Sequence, residues 1–262
     1  MELTLQSLYV FIFGCVVGSF LNVVRYRLPR KKGIVAGRSH CPACGKTIAW
    51  YDNVPLLSYI LLRGKCRCCG WRIPFTYFVM EVATGAGFLA IWWAFEPAQA
   101  IAYWILASIL VACAGIDHDL GLIPDKLTVP GLILGLVFSV TILKMGSTGH
   151  SLLHSVIGML VGGGSLFLVS MAYKVVRHQD GMGGGDVMLM AMVGAFMGYK
   201  LALITIFVAS VAGAIVGVFV ARRSEKGMLA SLRFGLFLSP AAIVALLWGN
   251  EMLDAYLRLI SS

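Results

Sequence analysis

The chain alternates long apolar segments with short polar ones, and this alternation limits the folds that are open to it. Eight apolar segments are long enough, or nearly so, to cross a bilayer. They lie at about residues 5–24, 75–95, 98–116, 127–143, 152–173, 187–199, 201–221 and 234–248. Because 59% of the 262 residues are hydrophobic and only 13% are charged, the composition is far from that of a soluble domain. The sequence predicts an all-α polytopic membrane protein with about eight transmembrane helices.

The basic residues predict how these helices are oriented. With the N-terminus outside, the loops 25–74, 117–126, 174–186 and 222–233 are cytoplasmic, and they hold 18 of the 21 Lys and Arg residues. Such an excess is typical of cytoplasmic loops. The net charge of +9 then reflects topology and contact with anionic lipid headgroups. Membrane lipids are therefore expected partners, and the charge does not call for nucleic acid.

One long polar stretch, residues 25–74, separates the first helix (1–24) from the seven that follow (75–262). It contains Cys41-x-x-Cys44 and, after 21 further residues, Cys66-x-x-Cys69. Two such pairs place four thiolates on one metal, which predicts a small cytoplasmic module held together by Zn²⁺. A disulfide pair is the alternative, and the reducing cytoplasm disfavours it. Cys68 is either a spare thiol or another ligand, and the neighbouring His40 could also coordinate.

Two aspartates are candidates for chemistry. Asp186 ends the glycine-rich stretch Gly181–Asp186 and precedes an apolar segment, so it is either an N-cap or a functional group. Asp117 follows the third apolar segment, and the predicted topology places both carboxylates on the cytoplasmic side. Two facing carboxylates share one proton, as in aspartic peptidases. Proton relay in a transporter is a rival interpretation, and a structural assembly factor is another.

Several motifs resemble those of the bacterial type IV prepilin peptidases, which are bifunctional leader peptidases and N-methyltransferases. These motifs run through most of the chain: Gly18–Asn22, Arg27–Pro29, Cys41–Cys69, Trp50–Pro55, Leu62–Cys66, Ile116–Asp117, Ile123–Asp125 and Gly181–Asp186. The resemblance implies an enzyme of the bacterial inner membrane. Such an enzyme removes the short basic leader of prepilins or pseudopilins after a glycine, on the cytoplasmic side. It then methylates the new N-terminal amine with S-adenosylmethionine.

The resemblance also implies roles for individual residues. Asp117 and Asp186 fall on the family's catalytic aspartates, and the four paired cysteines fall on its zinc ligands. Gly64, Lys65 and Glu81 fall at positions that the family links to methyl transfer. The substrate is expected to bind through its leader and the transmembrane segment that follows. The nearest rival is a leader peptidase without methyltransferase activity.

Overall fold

The computed structural model describes residues 2–34, 37–143, 151–178, 183–223 and 233–261. Its helices are α1 (Glu2–Arg27), α2 (Leu57–Leu61), α3 (Phe75–Ala94), α4 (Pro97–Leu120), α5 (Asp125–Phe138), α6 (Ser151–Arg177), α7 (Gly184–Arg223) and α8 (Gly235–Ser261). A short 3₁₀ helix lies at Trp50–Asn53, and a π-helical turn, Ser139–Leu143, extends α5. Within the described ranges two isolated β-bridges are the only β-structure. The predicted all-α fold is therefore confirmed.

The chain divides into two compact units, residues 1–100 and 101–262. The first unit contains α1, the polar module and α3, and the second begins within the first turns of α4. The prediction that the module is a domain of its own, separate from the first helix and from residues 75–262, stays a prediction.

In the first unit α1 and α3 meet through glycines. A Cβ added at Gly14 would lie 2.8 Å from the Cα of Gly85, and one at Gly18 would lie 2.8 Å from the Cα of Glu81. Small residues let membrane helices approach closely, because little else holds them together in lipid. The crossing at Gly18 therefore fixes where Glu81 stands.

The module is tied to α1 by Arg27, which lies in the last turn of that helix. Its guanidinium donates to the carbonyl oxygens of Gly33 at 3.3 Å, Gly37 at 3.1 Å and Arg38 at 3.2 Å. Its side chain is buried. The loop that leaves the membrane helix is thus anchored by hydrogen bonds to its backbone and needs no apolar core of its own.

In the second unit α6 packs against the first half of α7, again through glycines. A Cβ added at Gly158 would overlap the carbonyl oxygen of Gly194, and one at Gly162 would meet the backbone of Met190. One at Gly163 would lie 2.9 Å from the Cβ of Ala191. Since the contacts run in opposite order along the two helices, α6 and this half of α7 are antiparallel.

Seven helices in the described ranges are long and apolar enough to cross a membrane. The sequence predicts about eight, and α7 explains the difference. Its apolar part spans 36 residues, whereas about 20 suffice to cross a bilayer. Gly198 interrupts it with φ of 77° and ψ of 174°, a conformation that glycine alone adopts readily.

The contacts at the two ends of α7 show that it folds back at this glycine. Gly185 and Gly235 both approach Ile123, and Gly213 contacts the ring of Phe237. A straight helix would hold Gly185 and Gly213 about 42 Å apart, yet both lie near the start of α8. The two halves of α7 therefore form a helical hairpin, which accounts for the difference between the seven helices and the eight apolar segments of the sequence.

Replacement of Gly158 by alanine should destabilise the second unit. The added Cβ would overlap backbone atoms of α7, which cannot move aside as a flexible side chain can. We expect a loss of about 1–3 kcal/mol in the free energy of unfolding, measured as a lower Tm in detergent. Gly164→Ala is the matched control on the same helix, because a Cβ there meets nothing within 4 Å. Equal Tm values for the two variants would contradict the close contact.

Candidate active site

Asp117 lies three residues before the end of α4 and is buried, with 5% of its surface exposed. Its backbone carbonyl accepts a hydrogen bond from the amide of Gly121 at 2.9 Å, which closes the helix end. Gly121 has φ of 66°, as is common directly after a helix. The helix thus ends in a tight turn that keeps Asp117 at its margin.

Asp186 is the third residue of α7, at the other side of the site. The amide of Gly183, just before the helix, hydrogen-bonds its carboxylate. An acidic side chain that reaches back in this way completes half of a capping box. Asp186 is therefore not the N-cap that the sequence offered as one interpretation, since it is the third residue of the helix and caps it by reaching back to Gly183. Gly181 and Met182 fall outside the described residues.

The structure places the two aspartates near each other. Ile123 packs against Gly185, which precedes Asp186, and against Gly235, which adjoins the Asp117 carboxylate. Gly185 makes this possible, because a Cβ there would lie 2.8 Å from both the Cβ and the carbonyl oxygen of Ile123. The start of α7 is thereby pressed against the loop that follows α4. Two carboxylates at neighbouring helix ends are candidates for acid–base chemistry on a shared water.

A second candidate site lies in the module. The sulfur atoms of Cys41, Cys44, Cys66 and Cys69 all lie within 4.8 Å of one another. The sulfurs of Cys41 and Cys69 are 3.8 Å apart, close to the about 3.8 Å between two thiolates on a tetrahedral Zn²⁺ and far beyond a disulfide bond. All seven cysteines are free. Neither His40 nor Cys68 belongs to this group.

The two cysteine pairs stand on turns of the same design. In each turn, the amide of the first cysteine donates to the carbonyl oxygen of the residue five positions later. The amide of the residue four positions later donates to the carbonyl oxygen of that same cysteine. The glycines at this fourth position, Gly45 and Gly70, have φ of 70° and 71°. Such left-handed residues suit glycine, and they fold each turn tightly enough to point both thiols inward.

Comparison with known proteins matches both units. Residues 12–95 match the bacterial Peptidase A24 N-terminal domain, and residues 104–218 match the type IV leader peptidase family. A prepilin leader peptidase/N-methyltransferase of Pseudomonas putida is 35% identical over 95% of this chain and 93% of its own length. The chain belongs to the type IV leader peptidase family.

Further relatives agree with this assignment. Prepilin leader peptidase/N-methyltransferases of Pseudomonas aeruginosa and Aeromonas hydrophila are 36% and 33% identical, over 94% and 95% of this chain and 92% of their own lengths. No solved structure gives a significant match. The resemblance identified from the motifs is confirmed.

The three residues that the family links to methyl transfer lie in different surroundings. Glu81 is buried and accepts a hydrogen bond from the amide of Leu56 at 2.8 Å. Gly64 has φ of 65°, and a Cβ there would lie 2.9 Å from the hydroxyl of Tyr59. Lys65 is exposed and forms a β-bridge with Arg72 beside the second cysteine turn. Their roles stay predictions.

The N-terminus of α8 also contributes to the site, and the sequence analysis missed it. The amide of Leu236 donates to the Asp117 carboxylate at 3.0 Å. A Cβ at Gly235 would lie 2.9 Å from the same oxygen. Arg233 hydrogen-bonds the carbonyl of His118. The feature of the sequence that could have indicated this role is a glycine at the start of an apolar segment, as at Gly185.

We expect Gly235→Ala to lower the kcat of leader cleavage with little change in KM. The new Cβ displaces the Asp117 carboxylate from the α8 amide, and a shift of this kind at a reacting group costs about tenfold to a hundredfold. Gly213→Ala is the control. Gly213 also faces α8, but a Cβ there would make only ordinary contacts, at 3.8 Å, with the ring of Phe237. Unchanged kcat in Gly235→Ala would contradict a positioning role for α8.

Proposed function

We propose that this enzyme cleaves the leader peptide of prepilins or pseudopilins and methylates the N-terminal amine that cleavage exposes. The observation that carries the peptidase assignment is the meeting of Asp117 and Asp186 at neighbouring helix ends. Family membership supports both activities. The proposed site of cleavage is after a glycine, on the cytoplasmic face of a bacterial inner membrane, with the N-terminus outside.

The two aspartates divide the work of hydrolysis. One carboxylate takes a proton from a water molecule, which attacks the carbonyl carbon of the scissile peptide bond. The other, protonated, donates a hydrogen bond to the carbonyl oxygen as that oxygen gains negative charge. Transfer of a proton to the departing amine then breaks the C–N bond. The amide of Leu236 supports this cycle by holding Asp117 in place.

The four clustered cysteines are proposed to hold a structural Zn²⁺. Their sulfur separations fit tetrahedral coordination, and four protein ligands leave no position open for catalysis. A module of this size buries little apolar surface. The metal would therefore supply folding free energy by joining two turns that are distant in sequence.

S-adenosylmethionine is the proposed methyl donor. When bound, it supplies a methyl group that the substrate amine accepts, while the sulfur keeps the electron pair of the broken bond. The chain's own contribution is to hold the donor near the new N-terminus and to exclude water. Conversion of the ammonium group to a free amine must precede the transfer, since only the amine has a lone pair.

Asp117→Asn and Asp186→Asn should each abolish leader cleavage, because an amide can neither take up nor release the proton. A loss of at least about 10²-fold is expected for removal of either acid–base group. The measurement is cleavage of a prepilin in detergent by variants with a wild-type Tm. Asp119→Asn is the control, since this exposed carboxylate pairs with His118 and lies outside the site. Normal cleavage by either variant would return that aspartate to a capping role.

Removal of the metal should unfold the module and stop methylation. We expect chelation to make residues 37–73 sensitive to protease and to abolish transfer of labelled methyl groups to a cleaved pilin. Re-addition of Zn²⁺ should restore both. Unchanged protease resistance after metal loss would contradict the structural role. If untreated enzyme cleaves but never transfers methyl groups, the protein is a leader peptidase alone.

A further inference from the structure

A cavity of about 360 Å³ lies inside the first unit, between the ends of α1 and α3 and the module. This volume is in the range of small-molecule sites. Aromatic side chains from both helices and the module line it, among them Tyr26, Trp71 and Tyr77. Four buried polar side chains also line it: Asn22, Arg27, Ser58 and Glu81. An apolar aromatic wall with a few polar groups is typical of a cofactor pocket.

Glu81 is a buried carboxylate without a cationic partner among the described residues. It is 9% exposed, and its bonding partners are the amide of Leu56, at 2.8 Å, and the hydroxyl of Ser19. Burial of a carboxylate is costly unless it is paired. Glu81 therefore presents to the cavity a buried negative charge with which a cationic ligand would pair.

The Leu56 amide belongs to a strained turn. Leu56 has φ of 58° and ψ of −52°, and the amide of Leu57 donates to the carbonyl of Pro55 at 2.6 Å. A γ-turn of this hand is rare and strained, and such strain persists where surrounding contacts hold it. The carboxylate of Glu81 supplies that contact and thereby joins the module to α3.

The guanidinium groups at the cavity are already engaged. Arg27 binds loop carbonyls, and Arg67 makes a two-pronged bond to Asp52 with distances of 2.7, 2.9 and 3.1 Å. The Arg67 hydrogen bonds hold the pKa of the Asp52 carboxyl below its usual value. Lys46 also lines the cavity, but the bonding partners of Glu81 are the Leu56 amide and the Ser19 hydroxyl and no cation.

Asn22 is a second buried polar residue with an unused hydrogen-bonding group at the cavity. It is 3% exposed, and its Nδ2 donates to the carbonyl of Tyr77 at 3.1 Å. Its Oδ1 has no hydrogen-bond partner in the described part of the chain. A buried acceptor left unpaired costs free energy, and a ligand with N–H or O–H groups would satisfy it.

We propose that this cavity is the S-adenosylmethionine site, with Glu81 and Asn22 as its polar anchors. This inference rests on the proposed methyltransferase function. The donor carries positive charge, hydroxyl and amine hydrogens, and an aromatic base, which match the carboxylate, the free acceptor and the aromatic wall. Gly64 becomes a positioning residue, because it leaves room for Tyr59, which lines the cavity.

The test is equilibrium binding of labelled S-adenosylmethionine to the full-length protein in detergent. Glu81→Gln keeps an oxygen for the Leu56 amide but removes the charge, and binding should weaken about tenfold. Glu96→Gln is the matched control, since this carboxylate of the same unit is exposed and lies outside the cavity. Wild-type affinity in Glu81→Gln would overturn the assignment.

A second measurement needs no variant. Addition of S-adenosylhomocysteine to the wild-type protein should slow amide hydrogen exchange in residues 50–62, which form one wall of the cavity. Protection confined to the second unit would overturn the proposal while leaving methyltransferase activity intact. If the wild-type protein neither binds the donor nor transfers methyl groups, the methyltransferase function fails and this site fails with it.

Discussion

Helices in lipid gain little by burying apolar surface against one another, because lipid tails are as apolar as the side chains. Close backbone contact is what remains, and glycine is the residue that permits it. The contact of Gly158 with Gly194 joins α6 to the α7 hairpin, and that of Gly14 with Gly85 joins α1 to α3. The helix packing in each unit therefore depends on glycines, which lack a Cβ at the points of contact.

The same device builds the candidate active site. Gly185 lets α7 approach the loop after α4, and Gly235 lets α8 approach Asp117. Neither glycine bears a reactive group, yet the meeting of the two carboxylates depends on both. The contacts that stabilise the helix bundle therefore also set the distance between the two carboxylates.

The module is stabilised by other interactions than the helices, because it is polar and small. Hydrogen bonds from Arg27, the bond from Leu56 to Glu81 and the cysteine cluster replace an apolar core. Each of these ties a loop to a membrane helix or to another loop. These bonds, together with packed rings such as those of Tyr59 and Phe78 at 5.3 Å, hold the wall of the cavity beside them.

Much of this could be predicted from the sequence. Apolar segment length gave the helices, and the spacing of Cys41, Cys44, Cys66 and Cys69 predicted a group that the structure brings together. Each pair is recognisable because its two cysteines share a turn, and the two pairs are expected to meet because one Zn²⁺ takes four thiolates. The sequence also separates the apolar segments 187–199 and 201–221, and the helix break at Gly198 lies within two residues of that boundary.

The contribution of α8 could not be predicted in this way. Leu236 and Asp117 are 119 residues apart in the chain, and the bond between them uses a backbone amide that every residue possesses. Likewise Asn22, Leu56 and Glu81 come from three separate elements. Which of these positions meet depends on how the helices cross, and residue type alone does not encode the crossing.

Both candidate carboxylates lie at the ends of helices and not in the middle of spans. This position bears on how a helical substrate is opened. A peptide bond in an intact helix has its carbonyl engaged, and unwinding it in lipid leaves polar groups without partners. The amides that begin α8 are already bonded, that of Leu236 to Asp117 and those of Phe237 and Leu238 to the carbonyl of Phe234. A site between helix ends, where the backbone of the enzyme itself leaves the helix, therefore suits a stretch of substrate that is extended and not helical.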